Sequence, residues 1–391
     1  MTLLRLAVVV MIFVMLIFLV YEFWRLLLGS YPVWPSSPDG AFDLKLRHQE
    51  VNYWFSGRPV YGELKDAAYP PASYVILWPL LGWLAVTPAR WLWAITTVVA
   101  LVWLICLIVR ESGANTSLER LFVVLMPLSM YATGATVGNG QIIVHLIPAL
   151  VAAMLVLRHG QGRWFEDLWV AFLFLVVLVK PTVAIPFFWI VLFIPGRLRP
   201  ALIVVFGYGA LTFFAASFQK IGHLALLKSW TERALAGSSW ESVSWSSSNL
   251  HGLFTMLGLG RWNLPISLIL LAALGIWIYR HRRGDIWLLL SVTALISRFW
   301  CYHAWYDDLL ILLPMIALFR IAKGGFYPDK SDLAAGVLLG ITMLTLIAPG
   351  GLYLFPPPWN RVYMAAQTIV WLVVLIFLLN QARCERKKVA F

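Results

Sequence analysis

The chain has 391 residues, of which 61% are hydrophobic and 12% charged, with a mean hydropathy of +0.82 and a formal net charge of +12. Charged residues make up about 25% of an ordinary soluble domain, so a soluble globular protein is excluded and an all-α polytopic membrane protein is expected. The basic excess falls mainly in short loops between apolar runs, where it reads as a topology signal and an attraction for anionic lipid, not as a nucleic-acid surface.

The first apolar run, 6–28, is too long for a signal-peptide core and has no small-residue cleavage site after it, so it is expected to remain as an anchor. Residues 30–71 follow and hold two carboxylates, Asp39 and Asp43. Asp39, after Ser36-Ser37-Pro38, suits an N-cap, and an amphipathic helix over 42–55 would put Asp43, Arg47 and Glu50 on one face. Without other information, a solvated helix lying on the membrane explains these residues as well as a site does.

A spanning helix needs about 20 apolar residues. Such runs are seen near 90–110, 119–137, 141–157, 201–218, 265–280, 285–298, 304–320, 333–349 and 363–381. With the first run they predict about ten full spans. Two more runs are predicted to be broken or re-entrant: 72–87, which holds Pro79 and ends at Pro88, and 168–194, which is interrupted by Lys180-Pro181 and Pro186.

If both broken runs return to the side they came from, the basic clusters at Arg5, Arg110/Arg120, Arg158/Arg163, Arg197/Arg199, Arg280 to Arg283, Arg320 to Lys330 and Arg383 to Lys388 share one face. The positive-inside rule makes that face cytoplasmic, with both termini. The other face then receives the outer loops 30–71, 219–264 and 349–362, the Gly138-to-Gln141 turn, the Lys180-Pro181 break and the stretch Ser297 to Asp308. No loop is large enough to bury a core of its own, so residues 1–391 are read as one transmembrane domain.

Lys180 is charged in the middle of an apolar run, where insertion costs about 2.5–3.5 kcal/mol. A phosphate ligand would explain both the charge and the break; snorkelling to the interface is the plainer account. Arg298 and His303 flank the next outer turn and suit the same phosphate, although interface anchoring explains Arg298 as well. Asp307 and Asp308 begin a helix, where capping is the expected role. Gln141 and His145, one turn apart, suit hydrogen bonds to sugar hydroxyls or to neighbouring helices. Asn249 and His251 lie in a Ser/Trp-rich piece with Trp240 and Trp245, whose rings offer faces for a sugar or anchors in the interface.

No phosphate-cradling glycine loop, zinc spacing, serine elbow or Asp-rich metal pair is present, and no cofactor is expected, a divalent metal being left open. Cys106, Cys301 and Cys384 are not placed for a disulfide. The Asn115-Thr116-Ser117 sequon falls on the inner face of this topology and is discounted.

The order acid-Leu, Gly57-Arg58-Pro59-Val60-Tyr61, Tyr69-Pro70-Pro71, Trp78-Pro79-Leu80, Gly140-Gln141, Lys180-Pro181, Ser248-Asn249-Leu250 and His303 resembles the type C (GT-C) glycosyltransferases. It is most similar to glycosyltransferase family 87, the mannosyltransferase-like group. The chain differs at Ser297-Arg298-Phe299-Trp300-Cys301-Tyr302-His303, where a Ser-Pro start and a His pair would be expected.

The resemblance implies a GT-C-like bundle and an inverting transfer of a hexose, mannose first, from a polyprenyl-phosphate donor to a lipid-linked or glycan acceptor. It also implies that Asp43 is the catalytic base. Lys180, Arg298 and His303 become candidates for the donor phosphate, and Gln141, His145, Asn249, His251, Arg58 and Tyr61 for sugar or acceptor, the last two being expected to act mainly by shaping their turn. The partners would be those substrates and membrane lipids, with no nucleic acid. The place would be the plasma (inner) membrane, with the active site extracytoplasmic. A secondary transporter or lipid flippase is the alternative, since broken helices are a transporter habit. A non-catalytic scaffold is the third reading.

Overall fold

In hydrocarbon there is no water to satisfy backbone N–H and C=O groups, so apolar runs form helices that satisfy their own. The computed structural model describes residues 2–29, 40–238, 248, 250–301, 303–324 and 330–389, and every regular element among them is helical. Asp39, Trp240, Trp245 and Asn249 lie outside the described residues.

Among the described residues, five helices are long and apolar enough to cross a membrane alone: Leu3–Leu28, Val86–Glu111, Arg199–Ala216, Gly260–His281 and Trp359–Glu385. The other expected spans are shorter or broken, which is the main difference from ten uninterrupted crossings. In chain order the elements needed below are α1 (Thr2–Leu28), α2 (Phe42–Phe55), α3 (Val60–Glu63), α4 (Pro71–Leu81), α5 (Val86–Glu111) and α6 (Ser117–Leu128). They continue with α7 (Tyr131–Asn139), α8 (Ile143–His159), α9 (Trp164–Val177), α10 (Pro181–Phe193), α11 (Arg199–Ala216) and α12 (His223–Ser238). Later elements are named by their residues.

Each break has a local cause. α6 ends just after Pro127, and the backbone it frees is taken up by the far strand of chain: Met130 bridges Ile347, and the Ala348 N–H donates to the Ser129 carbonyl at 2.8 Å. Gly140, at φ +69°, then turns the chain so that α7 and α8 meet at a bend of 118°, a conformation glycine adopts at no steric cost.

The Lys180-Pro181 break expected from sequence is present. α9 and α10 have 14 and 13 residues, about 20 Å each, too short for a hydrocarbon layer of about 30 Å. They form a hairpin with Lys180 at its tip. The carbonyls around that tip find partners: Ser73 Oγ donates to Val179 at 2.9 Å and the Trp300 indole to Thr182 at 2.8 Å. A broken helix buried in protein can persist only with such partners.

α8 is buried on nearly all sides and forms the middle of the bundle, as a helix apolar all round should. One end of the bundle gathers the basic clusters. There Lys323 pairs with Glu119 at 2.5 Å, Arg197 with Asp167 at 2.7 Å and Arg320 with Asp285 at 3.2 Å, while Arg158 donates to the Arg283 carbonyl at 2.8 Å. Of the residues grouped by charge alone, Arg158, Arg197, Arg320 and Lys323 thus make contacts between separate segments at this end.

α2 is not a helix floating on lipid. It buries Leu44, Glu50, Val51 and Trp54, and the Trp54 indole donates to Ala215 at 2.9 Å while stacking on Tyr74 at 4.6 Å. Its N-cap is Ala41, not Asp39, and no side chain caps it. Instead the Ala41 N–H donates to the Gly138 carbonyl at 2.7 Å, with Ala41 held at φ 58°. A non-glycine residue in that region costs roughly 1–2 kcal/mol, and this one stands two positions before Asp43.

Candidate active site

Asp43, Gln141, Lys180, His303 and Asp307 line one cavity of about 230 Å³. Four separate pieces of chain bring these residues together: the first turn of α2, the α7–α8 turn, the tip of the α9–α10 hairpin, and residues 303–307 running into the 3₁₀ turn Trp305–Ile311. The glycine that bends the chain at 140 also brings α2 close, since a Cβ there would stand 2.5 Å from the Leu44 Cβ.

Asp43 is partly buried, and burial raises its carboxyl above the usual carboxylate range, with the Arg47 charge and a hydrogen bond to the Gln141 side chain as the main opposing effects. Arg47 reaches Glu50 at 2.5 Å, as their spacing predicts, and lies over the Tyr69 ring at 4.3 Å. Burial lifts the Glu50 carboxyl to about 7 despite that partner. Tyr69, expected only to pin the re-entry with Pro70 and Pro71, is part of the cavity wall.

Lys180 is not a free cation. Its Nζ meets Asp307 Oδ1 at 2.5 Å and lies 4.7 Å from the centre of the Tyr306 ring. His303 Nδ1 meets the other oxygen of the same carboxylate at 2.9 Å, and His303 and Asp307 are almost wholly buried. Asp307 is thus the shared partner of two expected site residues, and the expectation that it caps a helix is overturned. The turn Trp305–Ile311 has Ala304 as N-cap, with no side-chain cap.

Asp308 faces elsewhere. It pairs with the fully buried Arg298 and accepts from the Tyr131 hydroxyl, so it is not a cap either. Arg298 also donates to the Ser248 carbonyl at 3.2 Å and stands 5.4 Å from the Trp371 ring. Consecutive residues in a 3₁₀ turn point about 120° apart, which is why neighbouring acids serve two different clusters. Arg298 does not line the cavity.

The remaining candidates are also elsewhere. His145 hydrogen-bonds Thr96 at 3.1 Å and packs on Trp93, tying α8 to α5. His251 hydrogen-bonds Ser267 at 2.9 Å. Arg58 pairs with Glu63 and stacks on Tyr53 at 3.8 Å, while the Tyr61 hydroxyl donates to the Tyr69 carbonyl at 2.7 Å. Among the described residues no group of three or more His, Cys, Asp or Glu side chains could hold a metal ion.

The model of glycosyltransferase family 87 matches residues 67–302. The chain belongs to glycosyltransferase family 87. It is accordingly a membrane glycosyltransferase, with a donor and an acceptor as its substrates. No curated protein and no solved structure matches it. Within the stretch matched to family 87 fall Gln141, Lys180 and Arg298, whereas Asp43 lies before its start and His303 and Asp307 lie just after its end. The fold returns both flanks to the cavity that the matched stretch encloses.

Sequence reasoning missed Asp307 as a cavity residue. The signal was present: His303 and Asp307 are four apart, and two adjacent acids stand before the apolar run Leu309 to Leu313, where a charge without a task is costly. Lys65 and Arg233, which also line the cavity, carried no comparable mark in the sequence.

Proposed function

We propose that this protein moves one hexose, mannose by the family resemblance, from a polyprenyl-phosphate donor to a lipid-linked or glycan acceptor on the extracytoplasmic face. The observation that carries the reading is the common cavity of Asp43, Lys180, His303 and Asp307. It joins a carboxylate able to take a proton to hydrogen-bond donors able to face a leaving phosphate.

In the proposed step Asp43 accepts the acceptor hydroxyl proton as that oxygen attacks the anomeric carbon. The bond from that carbon to the phosphate oxygen breaks with its electron pair, polyprenyl phosphate leaves from the opposite face, and the configuration inverts. One displacement needs one base, so no second carboxylate nucleophile is required. Gln141 would hold the Asp43 carboxylate in place. Lys180, anchored by Asp307, would donate toward the departing oxygen as its charge develops, while His303 Nδ1–H would hold the other oxygen of that carboxylate. Arg298, His145 and His251 fall outside this cavity and are assigned to packing.

Purified protein in lipid, given a panel of polyprenyl-phosphate hexoses with crude envelope lipids, tests the reading by mass spectrometry. The expected products are an acceptor enlarged by one hexose and free polyprenyl phosphate. Transfer only from nucleotide sugars, or solute counterflow with no covalent product, would overturn it.

A further inference from the structure

The cavity's basic side chains are unequal in what they can offer an anion. Five line it: Arg47, Lys65, Lys180, Arg233 and His303. Arg47 is closed on Glu50 at 2.5 Å, and Lys180 on Asp307 at 2.5 Å, with His303 on the same carboxylate. Each of these cations is thus held against a carboxyl group of the protein. Lys65 is exposed and makes no ion pair or hydrogen bond among the described residues, and Arg233 donates one Nη2 bond to the Tyr61 carbonyl at 2.7 Å. Lys65 and Arg233 are therefore the lining cations not closed on a carboxylate side chain, beside the lining acids Asp43 and Asp66.

Their place in the fold fits a lipid phosphate. Lys65 lies in the segment between α3 and α4, and Arg233 on α12, both outside the long membrane helices. α12 is fastened to that segment by the Trp230 indole, which donates to the Ala68 carbonyl at 3.1 Å. On a 3.6-residue repeat Leu224, Leu227 and Leu235 share one face of α12 and Arg233 takes the opposite one. Those three leucines are exposed. On the same repeat Lys228, paired with Glu232 at 3.9 Å, falls beside these leucines, and a helix that presents exposed leucines beside charged heads suits the membrane interface, the depth at which a prenyl chain presents its phosphate.

Resting on the donor class named above, we infer that Lys65 and Arg233 form the phosphate clamp for the prenyl-linked donor at the cavity mouth. Lys180 belongs to the buried Asp307 unit deeper in. The clamp supplies charge and orientation, Arg233 with its remaining guanidinium donors and Lys65 as a point charge.

The test is the affinity of the purified full chain, in neutral-lipid nanodiscs, for polyprenyl phosphate against the uncharged polyprenol, in wild type, Lys65→Gln, Arg233→Gln and Arg233→Lys. Wild type should prefer the phosphate. Lys65→Gln and Arg233→Gln should each lose about tenfold of that preference, worth about 1.4 kcal/mol, with polyprenol affinity unchanged, and Arg233→Lys should keep most of it. Unchanged polyprenol affinity reports an intact groove, and Lys65→Gln removes no ion pair or hydrogen bond among the described residues. Preference retained in both Gln variants overturns the clamp, as does displacement of polyprenyl phosphate by phosphatidylglycerol added to the discs. Absence of any preference in wild type would instead overturn the donor reading on which the clamp rests.

Discussion

The Lys180 ammonium and the Asp307 carboxylate meet at 2.5 Å across 127 residues of chain, joining the tip of the α9–α10 hairpin to the turn Trp305–Ile311. Both side chains are largely buried, Lys180 at 11% and Asp307 at 2% exposure. Removing one partner of a buried pair strands the other, a loss of about 3–5 kcal/mol. Asp307→Asn should therefore lower unfolding stability by that order, measured by denaturant titration in a fixed detergent. The double variant Lys180→Met with Asp307→Leu should recover most of the stability and none of the transferase activity. Full stability in Asp307→Asn alone would show that the pair is not closed as described.

The pH dependence follows from the direction of the Asp43 shift. Burial raises this carboxyl above its ordinary value of 3.8, so the folded protein holds the proton more tightly than the unfolded chain. Its contribution to stability is present at low pH and lost as pH rises through the raised value. Activity should run the other way, because a base must be unprotonated: kcat/KM should rise with pH, with its acid limb above the usual carboxylate range. The Gln141 hydrogen bond lowers this value, so Gln141→Leu should move the limb to higher pH. A limb in the same place in wild type and Gln141→Leu would contradict the contact.

Gly140 is required for two reasons that one substitution can separate. Its φ of +69° disfavours any side chain, and a Cβ would stand 2.5 Å from Leu44 of α2. Gly140→Ala should cost about 1–2 kcal/mol from the backbone alone. Pushing α2 away should also reduce transfer by more than the stability loss explains. Leu44→Gly, which removes the Cβ that the added methyl would meet, should restore part of the activity in the Gly140→Ala background.

Arg298 should behave differently from the cavity cations. It is fully buried, pairs with Asp308 and lies outside the cavity lining. Arg298→Gln should destabilise the fold by a few kcal/mol, about 3–5 for a stranded buried charge, while the KM for donor stays unchanged in the protein that remains folded. A donor KM raised tenfold or more with stability intact would return Arg298 to the phosphate site.

Much of this arrangement was legible in the sequence because it depends on local rules. The Lys180-Pro181 break follows from a missing N–H and an intramembrane charge, and the grouping of basic loops follows from charge bias. The helix at 42–55 and its Arg47–Glu50 contact follow from spacing. What could not be read depends on which distant pieces meet. Nothing local distinguishes Asp307, which faces the cavity, from Asp308, which faces Arg298. Nor does the sequence show that Ala41, docked on the Gly138 carbonyl, starts α2 in place of Asp39. The break after Pro127 divides the run 119–137, which hydropathy alone drew as continuous.

The central claim is that Asp43 takes the proton from the acceptor. The most direct measurement is single-turnover hexose transfer by wild type and Asp43→Asn at saturating polyprenyl-phosphate hexose, together with donor affinity for each. Loss of a general base is expected to slow transfer by at least about 100-fold, with donor affinity nearly unchanged. Transfer at the wild-type rate by Asp43→Asn would contradict the account.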